Sequence, residues 1–304
     1  MARSGRRTAG AALVAGLALV LLAGRAQQPL ERALTFGVIS DVQFALSPPV
    51  GGRFYTRSRS KLGRAADELN RRGVRFVIHL GDLIDSGASS YDLILPAFKK
   101  LTAPIHFVLG NHDFDVEEAF KPQVMSLLGV GIGYRAFTEG GWRFILLNGD
   151  ELGFNFPGGP ALRKEAEDFF GRLASEKRPN ATKWNGGLSG TQMDFLAAEV
   201  EAAERSGQRV IVCCHFPVYP PAGHNLWNDR EVVALLESRP AVKAYFSGHN
   251  HDGNYAQKRG LHFVTFRGLV DTEQAGAGAV ITLTEDKIVI DGFGREQGRT
   301  LKVR

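Results

Sequence analysis

Five apolar segments of this chain read as β-strands, and each is followed closely by residues that can bind a metal ion. The segments are 36–40, 76–80, 105–109, 210–214 and 242–246. The metal-binding residue types that follow them include Asp41, Asp82, Asn111, His215 and His249. In an open α/β sheet the functional crevice lies beyond the carboxyl ends of the strands. The pattern therefore predicts oxygen and imidazole ligands gathered at one edge of one sheet, as a two-metal centre requires, and favours an enzyme.

Length and charge limit the classes of protein that this chain can belong to. It has 304 residues, 44 % of them hydrophobic, which is enough for one large core or two modest domains. We predict a single catalytic domain over 34–294, followed by a C-terminal tail over 295–304. The net charge of +5 falls to +1 without the first 26 residues, which carry four arginines and no acid. This near-neutral remainder argues against a nucleic-acid partner.

The first 26 residues have the pattern of an export signal. Arg6 and Arg7 precede an apolar run over 9–24, and Gly24-Arg25-Ala26 offers a small-x-small cleavage site. We therefore expect a cleaved leader over 1–26, a periplasmic or extracellular protein, and no stable membrane span after processing. An uncleaved membrane anchor is the alternative, although the run is shorter than the ~20 residues that a span usually needs. The sequence does not determine the oligomeric state.

Helical and strand patterns alternate in the first half of the chain. Strands at 34–40, 74–80 and 105–109, with helices at 57–72 and 91–100 between them, predict a parallel sheet with right-handed crossovers. A helix over 115–128 and a hairpin over 134–148 follow. The region 149–189, with a predicted helix at 161–177, reads as an insertion near the site. The last third is rich in strands, which suggests two packed sheets with helices outside. The strands predicted there are 242–246, 261–266, 277–284 and 287–293.

The polar residues after the first three segments each allow a structural alternative. Asp41 and Gln43 lie two apart and can face one ion, but a turn is the better explanation of Asp-x-Gln when the motif is taken alone. Asp82 can bridge two cations ~3.5–4 Å apart, or it can cap the following segment. Asn111 offers an amide oxygen suited to a hard cation, and His112 next to it is free to act on a leaving group.

Histidines follow the last two segments. A lone histidine such as His215 is more often structural than functional, whereas His249 and His251 are separated by one residue and can ligate two adjacent ions. Gly248 before them allows the backbone to approach closely. His224 lies in the loop after His215 and is a further candidate for substrate contact. The remaining histidines lie within strand patterns and are interpreted as structural.

The ordered series Asp-x-Gln, Gly-Asp-x-x-Asp, Gly-Asn-His-Asp, His and Gly-His-x-His resembles that of the calcineurin-like metallophosphoesterases. The resemblance covers nearly all of the chain from 34 to about 294. It implies an α/β fold in the form of a four-layer α/β/β/α sandwich, with two mixed sheets, helices outside and a dinuclear metal centre. Gln43, Trp184-Asn185-Gly186-Gly187 and Gly248–Tyr255 further resemble the manganese-dependent ADP-ribose/CDP-alcohol diphosphatases.

The resemblance implies a role for each site residue. One ion would be held by Asp41, Gln43 and His251, the other by Asn111, His215 and His249, with Asp82 as the bridge. Metal-bound hydroxide would attack phosphorus, most simply in the pyrophosphate of ADP-ribose or CDP-alcohol substrates. His112 would stabilise or protonate the leaving oxygen, oriented by Asp85. Because Gln43 supplies a neutral oxygen, Mn²⁺ is the expected ion, with Mg²⁺, Fe or Zn²⁺ as alternatives.

The predicted contacts to the small phosphorylated or nucleotide substrate are Arg57, Arg59, Asn185 and Gly186. An Arg-Tyr-Tyr-Arg-like stretch of the diphosphatases has Thr56-Arg57-Ser58-Arg59 as its counterpart here, so the aromatic surface is altered. A phosphomonoesterase or (cyclic) nucleotide phosphodiesterase of the same fold is the alternative function. A non-catalytic exported binding protein is a remote third possibility, because the ligand set is complete.

Overall fold

The computed structural model describes residues 1–2 and 33–303, so the predicted leader lies outside the described residues apart from its first two. Among the described residues, no helix is both long enough and apolar enough to cross a bilayer. The described body contains six α-helices and twelve strands. The helices are α1 Ser58–Arg71, α2 Ser89–Phe98, α3 Lys121–Leu127, α4 Pro160–Ser175, α5 Gly190–Arg205 and α6 Asp229–Glu237.

The strands form two mixed sheets of six strands each. The first sheet has the order β12-β11-β10-β1-β2-β3 and the second the order β4-β5-β6-β7-β9-β8. The strands are β1 Leu34–Ile39, β2 Val77–His79, β3 Ile105–Phe107, β4 Arg135–Glu139, β5 Trp142–Leu146, β6 Arg209–Cys213, β7 Val242–Ser247, β8 Asn254–Lys258, β9 Leu261–Thr265, β10 Ala277–Leu283, β11 Lys287–Gly294 and β12 Arg299–Lys302.

Three apolar layers hold the sheets and helices together. Between the sheets, Phe36 and Phe76 stack at 5.0 Å, and Phe144 meets both rings edge-on. A second cluster buries the helices α1 and α2 against the first sheet, and a third buries α5 and α6 against the second sheet. This arrangement is the predicted four-layer α/β/β/α sandwich, and that prediction is confirmed.

The parallel core of the first sheet is also as predicted, since β1, β2 and β3 pair in parallel. Ser189 caps α5 by accepting a hydrogen bond from the Gln192 amide at 3.1 Å. The hairpin of β4 and β5 turns at Gly140-Gly141, where both residues have positive φ.

The predicted helix over 115–128 is wrong in its first half, because α3 begins only at Lys121. Residues 115–120 are instead turn and loop, and they follow a short 3₁₀ turn, Asn111–Phe114, which carries site residues. The tail assignment of 295–304 is corrected as well. Those residues include β12, which pairs with β11 and extends the first sheet by one strand.

Candidate metal centre

The predicted ligands meet where the carboxyl ends of the two sheets face each other. The loops after β1, β2 and β3 carry Asp41, Gln43, Asp82 and Asn111, and the loops after β6 and β7 carry His215, His249 and His251. The expectation of one sheet edge is therefore corrected, since both sheets contribute. Two sheets are needed because the carboxyl-end loops of one sheet present only the oxygen ligands, and the imidazoles lie on the other.

The ligand loops adopt backbone conformations that ordinary residues avoid. Seven described residues other than glycine have positive φ, and four of them are predicted ligands. These four are Asp41, Gln43, Asp82 and His249. Left-handed backbone at such residues costs free energy and tends to concentrate at functional sites. The strain therefore marks the predicted ligand loops as a site that the rest of the fold holds in place.

Two glycines allow these loops to approach each other closely. A Cβ atom on Gly110 would lie 2.3 Å from Asp82 Oδ1, and one on Gly248 would lie 1.9 Å from Ser40 Oγ. Both distances are too short for any side chain, so the glycines of Gly-Asn-His and Gly-His-x-His are required by packing. The Gln43 amide donates to the Asp82 carbonyl at 2.9 Å and ties the first two loops together.

Asp82 lies at the centre of the cluster. Its Oδ2 is 3.2 Å from His215 Nε2 and accepts a hydrogen bond from Gln43 Nε2 at 3.1 Å. The ligand atoms of Asp82, His215 and His249 lie within 4.8 Å of one another. His251 Nε2 is 3.3 Å from Asp41 Oδ1, on the neighbouring side. The side chains are thus arranged as two adjacent groups that meet at Asp82.

In this cluster the pKa values of the carboxylates and the imidazoles depend on one another. Burial by itself raises the pKa of Asp82, but His215 and His112 bring that pKa well below its usual value. Burial lowers the pKa of His215, and the carboxylates of Asp82 and Asp41 raise it to about 10. Protons on imidazoles thus balance the buried carboxylates, and a divalent cation would displace them on binding.

Two unsatisfied oxygens test whether the site fits metal ions. Gln43 Oε1 and Asn111 Oδ1 are buried and accept no hydrogen bond from the described residues. Both residues line a cavity of about 190 Å³ together with Asp82, His249 and His251. A buried amide oxygen without a donor is costly unless a cation takes the donor's place. The mixed set of oxygen and imidazole donors suits Mn²⁺-type ions, so the residues fit the metal centre.

His112 lies on the wall of the same cavity. Its Nδ1 is 3.0 Å from the carbonyl oxygen of Asp85 and 2.9 Å from a carboxylate oxygen of Asp115. The Asp85 carboxylate, which the sequence suggested as the orienting group, is 3.9 Å away, so Asp85 contributes through its backbone. Burial lowers the pKa of His112, but Asp82, Asp115 and Asp85 raise it, and the result is about 9.

Asp113 and Asp115 carry structural roles that sequence reasoning missed. The buried carboxylate of Asp113 accepts from the backbone amides of Asp82, Leu83 and Gly110 at 2.9–3.1 Å. It therefore joins the second and third ligand loops. A usable signal was the spacing Asn-His-Asp-Phe-Asp, which puts Asp113 and Asp115 one and three residues after His112.

The four residues predicted to contact the substrate differ in their exposure and in their partners. Arg57 is exposed and pairs with Glu273 at 3.3 Å, and Arg59 is exposed on α1. Asn185 is buried and accepts a hydrogen bond from His249 Nε2 at 3.0 Å, so it supports a ligand. Gly186 packs on Gly149, whose carbonyl oxygen would be 2.3 Å from a Cβ. Arg53 lines the metal cavity instead, although no sequence motif had indicated it.

A second cavity adjoins the first. It has a volume of about 380 Å³, and its walls are mainly polar and charged. Arg53, His224, His249 and His251 line both cavities, so the two share a wall. Trp184 lies at the rim of the metal cavity with 55 % of its surface exposed. An extended ligand can therefore reach outward from the metal centre.

Comparison with known proteins gives consistent matches. The family described as calcineurin-like phosphoesterase matches residues 34–253. The manganese-dependent ADP-ribose/CDP-alcohol diphosphatase of Xenopus tropicalis is 28 % identical over 90 % of this chain and 95 % of its own length. The protein of the same name from Arabidopsis thaliana is 31 % identical over 78 % of this chain and 85 % of its own. A dimetal phosphatase structure from Danio rerio is similar with a TM-score of 0.80 and 25 % identity, covering 89 % of this chain and 99 % of that one.

Proposed function

This chain belongs to the calcineurin-like phosphoesterase family of metal-dependent phosphohydrolases, and from that premise we propose that it hydrolyses the pyrophosphate bond of nucleoside diphosphate-linked substrates with Mn²⁺ as its cofactor. ADP-ribose and CDP-alcohols are the substrate classes, as the names of its relatives state for those proteins. The observation that carries the proposal is the pair of buried, unpartnered oxygens of Gln43 and Asn111 facing the cavity that holds the histidines.

The residues divide into two metal-binding sets around Asp82. Asp41, Gln43 and His251 would hold one ion, and Asn111, His215 and His249 the other. When bound, the two cations would neutralise charge on the transferred phosphoryl group and supply an activated water as nucleophile. The strained loops hold the ligands in place before any substrate arrives, which reduces the cost of organising the site.

His112 acts on the leaving group. Its Nδ1 is held by Asp115 and by the Asp85 carbonyl, which leaves Nε2 for a substrate oxygen. Asp115 beside Nδ1 favours the protonated imidazole, whose Nε2–H can donate to the oxygen on which negative charge develops. The His112 backbone amide also donates to Asp82 Oδ1 at 2.9 Å, which couples the acid to the bridging carboxylate.

The two adjoining cavities favour a substrate with groups on both sides of the reacting phosphorus. The metal cavity alone, at about 190 Å³, is smaller than a typical small-molecule site, and the adjoining cavity of about 380 Å³ supplies the remaining room. Arg53 lies at their junction, where a second phosphate would pass. Trp184 offers an exposed indole face on which a base can stack. These features argue against a phosphomonoesterase.

A substrate panel tests the proposal. The purified, Mn²⁺-loaded protein is incubated with ADP-ribose, CDP-choline, p-nitrophenyl phosphate and bis-p-nitrophenyl phosphate, and products are separated by chromatography. We expect release of AMP or CMP at rates well above those of the monoester and the diester. Hydrolysis of the monoester alone, or no hydrolysis of either pyrophosphate, would contradict the proposal. An Asp82→Asn variant controls for contaminating hydrolases.

We also propose that the chain is exported with removal of residues 1–26. The support comes from Arg6-Arg7, the apolar run and the small residues around Arg25. Expression of the full chain with a C-terminal tag, followed by fractionation and N-terminal sequencing, tests it. A mature protein that begins near Gln27 in the exported fraction is expected. An intact Met1 in the membrane fraction would indicate the anchored alternative instead.

A further inference from the structure

In each of the three candidate histidine ligands, one ring nitrogen contacts an oxygen, and the kind of oxygen differs among the three. His215 Nδ1 donates to the Leu80 carbonyl at 2.8 Å, and His249 Nε2 donates to the Asn185 amide oxygen at 3.0 Å. His251 Nδ1 instead lies 3.2 Å from both carboxylate oxygens of Asp271. Of these three partners, Asp271 alone carries a charge.

Asp271 is itself fixed by an arginine from a different part of the chain. Arg295, which directly follows β11, donates to Asp271 Oδ2 at 2.9 Å and to the Gly268 carbonyl at 2.7 Å. The side chains of Asp271 and Arg295 are only 17 % and 20 % exposed. A Cβ on Gly268 would lie 2.8 Å from the His251 ring, so this loop passes directly against the imidazole.

The loop that carries Asp271 is tied to the rest of the site by its backbone. The Leu269 amide donates to the Ser40 carbonyl at 2.9 Å, and the Val270 amide donates to the Asp41 carbonyl at 3.0 Å. From α1, the buried ammonium of Lys61 donates to the carbonyls of Val270 at 2.6 Å and Thr272 at 3.0 Å. The position of Asp271 is therefore fixed relative to Asp41, a ligand of the same proposed ion.

We infer that Asp271, backed by Arg295, is a positioning residue for His251. It keeps the imidazole proton on Nδ1, which leaves the lone pair of Nε2, 3.3 Å from Asp41 Oδ1, free for the ion that His251 and Asp41 would both hold. A carboxylate behind a ligating histidine also makes that ligand more basic. This inference rests on the two-metal centre of the proposed function and makes that centre asymmetric.

The asymmetry has a chemical reason in the ligands themselves. At the position of Asp41 and His251, Gln43 supplies a neutral oxygen in place of an imidazole. At the other position the amide oxygen of Asn111 is likewise neutral, and the two imidazoles, His215 and His249, are supported by neutral oxygens. Of the three histidines, only His251 therefore has negative charge behind it, and the two ions should respond differently to loss of Asp271.

The test measures Mn²⁺ binding to metal-free protein by the electron paramagnetic resonance signal of free Mn²⁺. In Asp271→Asn, which keeps the shape but removes the charge, we expect one of two Mn²⁺ ions to bind about 10- to 100-fold more weakly and the other to be unchanged. In Arg295→Gln we expect a smaller weakening at the same ion. Asp291→Asn is the matched control, because Asp291 lies on β11 and its solvent-exposed carboxylate pairs with Arg72, away from the metal centre.

Equal affinities in wild type and Asp271→Asn would overturn the inference. So would equal weakening of both ions, since that result indicates a general structural role for the Asp271–Arg295 pair. Urea unfolding of each variant in EDTA checks that the metal-free fold is intact, and Arg295→Gln carries the test if Asp271→Asn does not fold. The readout is Mn²⁺ binding and involves no substrate. A failure of the proposed substrate assignment can therefore be told apart from a failure of this inference.

Discussion

At the scale of single residues, the polar and charged groups around Asp82, the proposed bridging carboxylate, determine the chemistry of the site. Asp82 is surrounded by His215, Gln43 and the His112 amide, and each contact is polar and nearly free of water. In such a site a hydrogen bond or charge has a larger effect than at the surface. Substitutions of these residues should therefore affect catalysis more than stability.

His112→Gln should separate leaving-group chemistry from metal binding. We expect kcat on ADP-ribose to fall by about 10²- to 10⁴-fold, because a positioned proton donor is lost. Bis-p-nitrophenyl phosphate, whose leaving group needs no proton, should lose much less. Steady-state kinetics on both substrates with Mn²⁺ saturating checks this. Equal losses on the two substrates would show that His112 is not the acid.

Arg53 and Arg59 allow a matched comparison of substrate contacts. Arg53 lines both cavities, whereas Arg59 is exposed on α1 and lines neither. A charged hydrogen bond to phosphate contributes about 1.5–3 kcal/mol, so Arg53→Gln should lower kcat/KM for ADP-ribose roughly 10- to 100-fold. Arg59→Gln should change kcat/KM for ADP-ribose less than about threefold, because Arg59 lines neither cavity. The reverse order would favour the assignment made from sequence.

At the scale of elements, the segment 149–189, predicted from the sequence to be an insertion, is fixed by buried polar contacts. Arg178 pairs with Asp229 at 2.7 Å, and both side chains are at most 9 % exposed. Asn180 Nδ2 donates to the carbonyls of Leu226 and Trp227 at 2.7 Å and 3.2 Å. Asn185 Nδ2 donates to the Asn180 carbonyl at 3.2 Å, which connects this anchor to His249. The insertion is thus part of the ligand support.

Asn180→Ala tests that connection. It leaves two buried carbonyls without their donor, so the free energy of unfolding should fall by about 1–3 kcal/mol. Gln123→Ala removes an amide bond to the Ala119 carbonyl at an exposed position and should cost less than about 1 kcal/mol. Urea unfolding of metal-free protein measures both. Equal costs would mean that the insertion is not anchored through Asn180.

At the scale of the whole molecule, the metal centre joins the two sheets. Oxygen ligands follow strands of the first sheet, and the histidines follow strands of the second. A ligand that binds only the folded state stabilises it by about 2.7 kcal/mol at a hundred times its Kd. Bound cations should therefore stabilise the folded protein by linking the two sheets.

Mn²⁺ should accordingly raise the melting temperature of the protein. At that saturation, one bound ion corresponds to roughly 5–10 °C for a chain of this size. Asp82→Asn, which removes the bridging carboxylate, should show less than half of the wild-type shift. Differential scanning calorimetry with and without EDTA measures it. If both proteins shifted equally, Mn²⁺ would be binding elsewhere.

The sequence by itself determined the fold class and supplied the proposed ligand set. Apolar segments that end at Asp41, Asp82, Asn111, His215 and His249 carry both kinds of information, because strand periodicity and ligand chemistry are local properties. Only the tertiary structure decided that two sheets supply the ligands, that Asp271 lies behind His251, and that Arg53 lines the cavities. Contacts across the site join distant residues, such as His249 and Asp41, which are 208 positions apart, and no local pattern records which distant loops will meet.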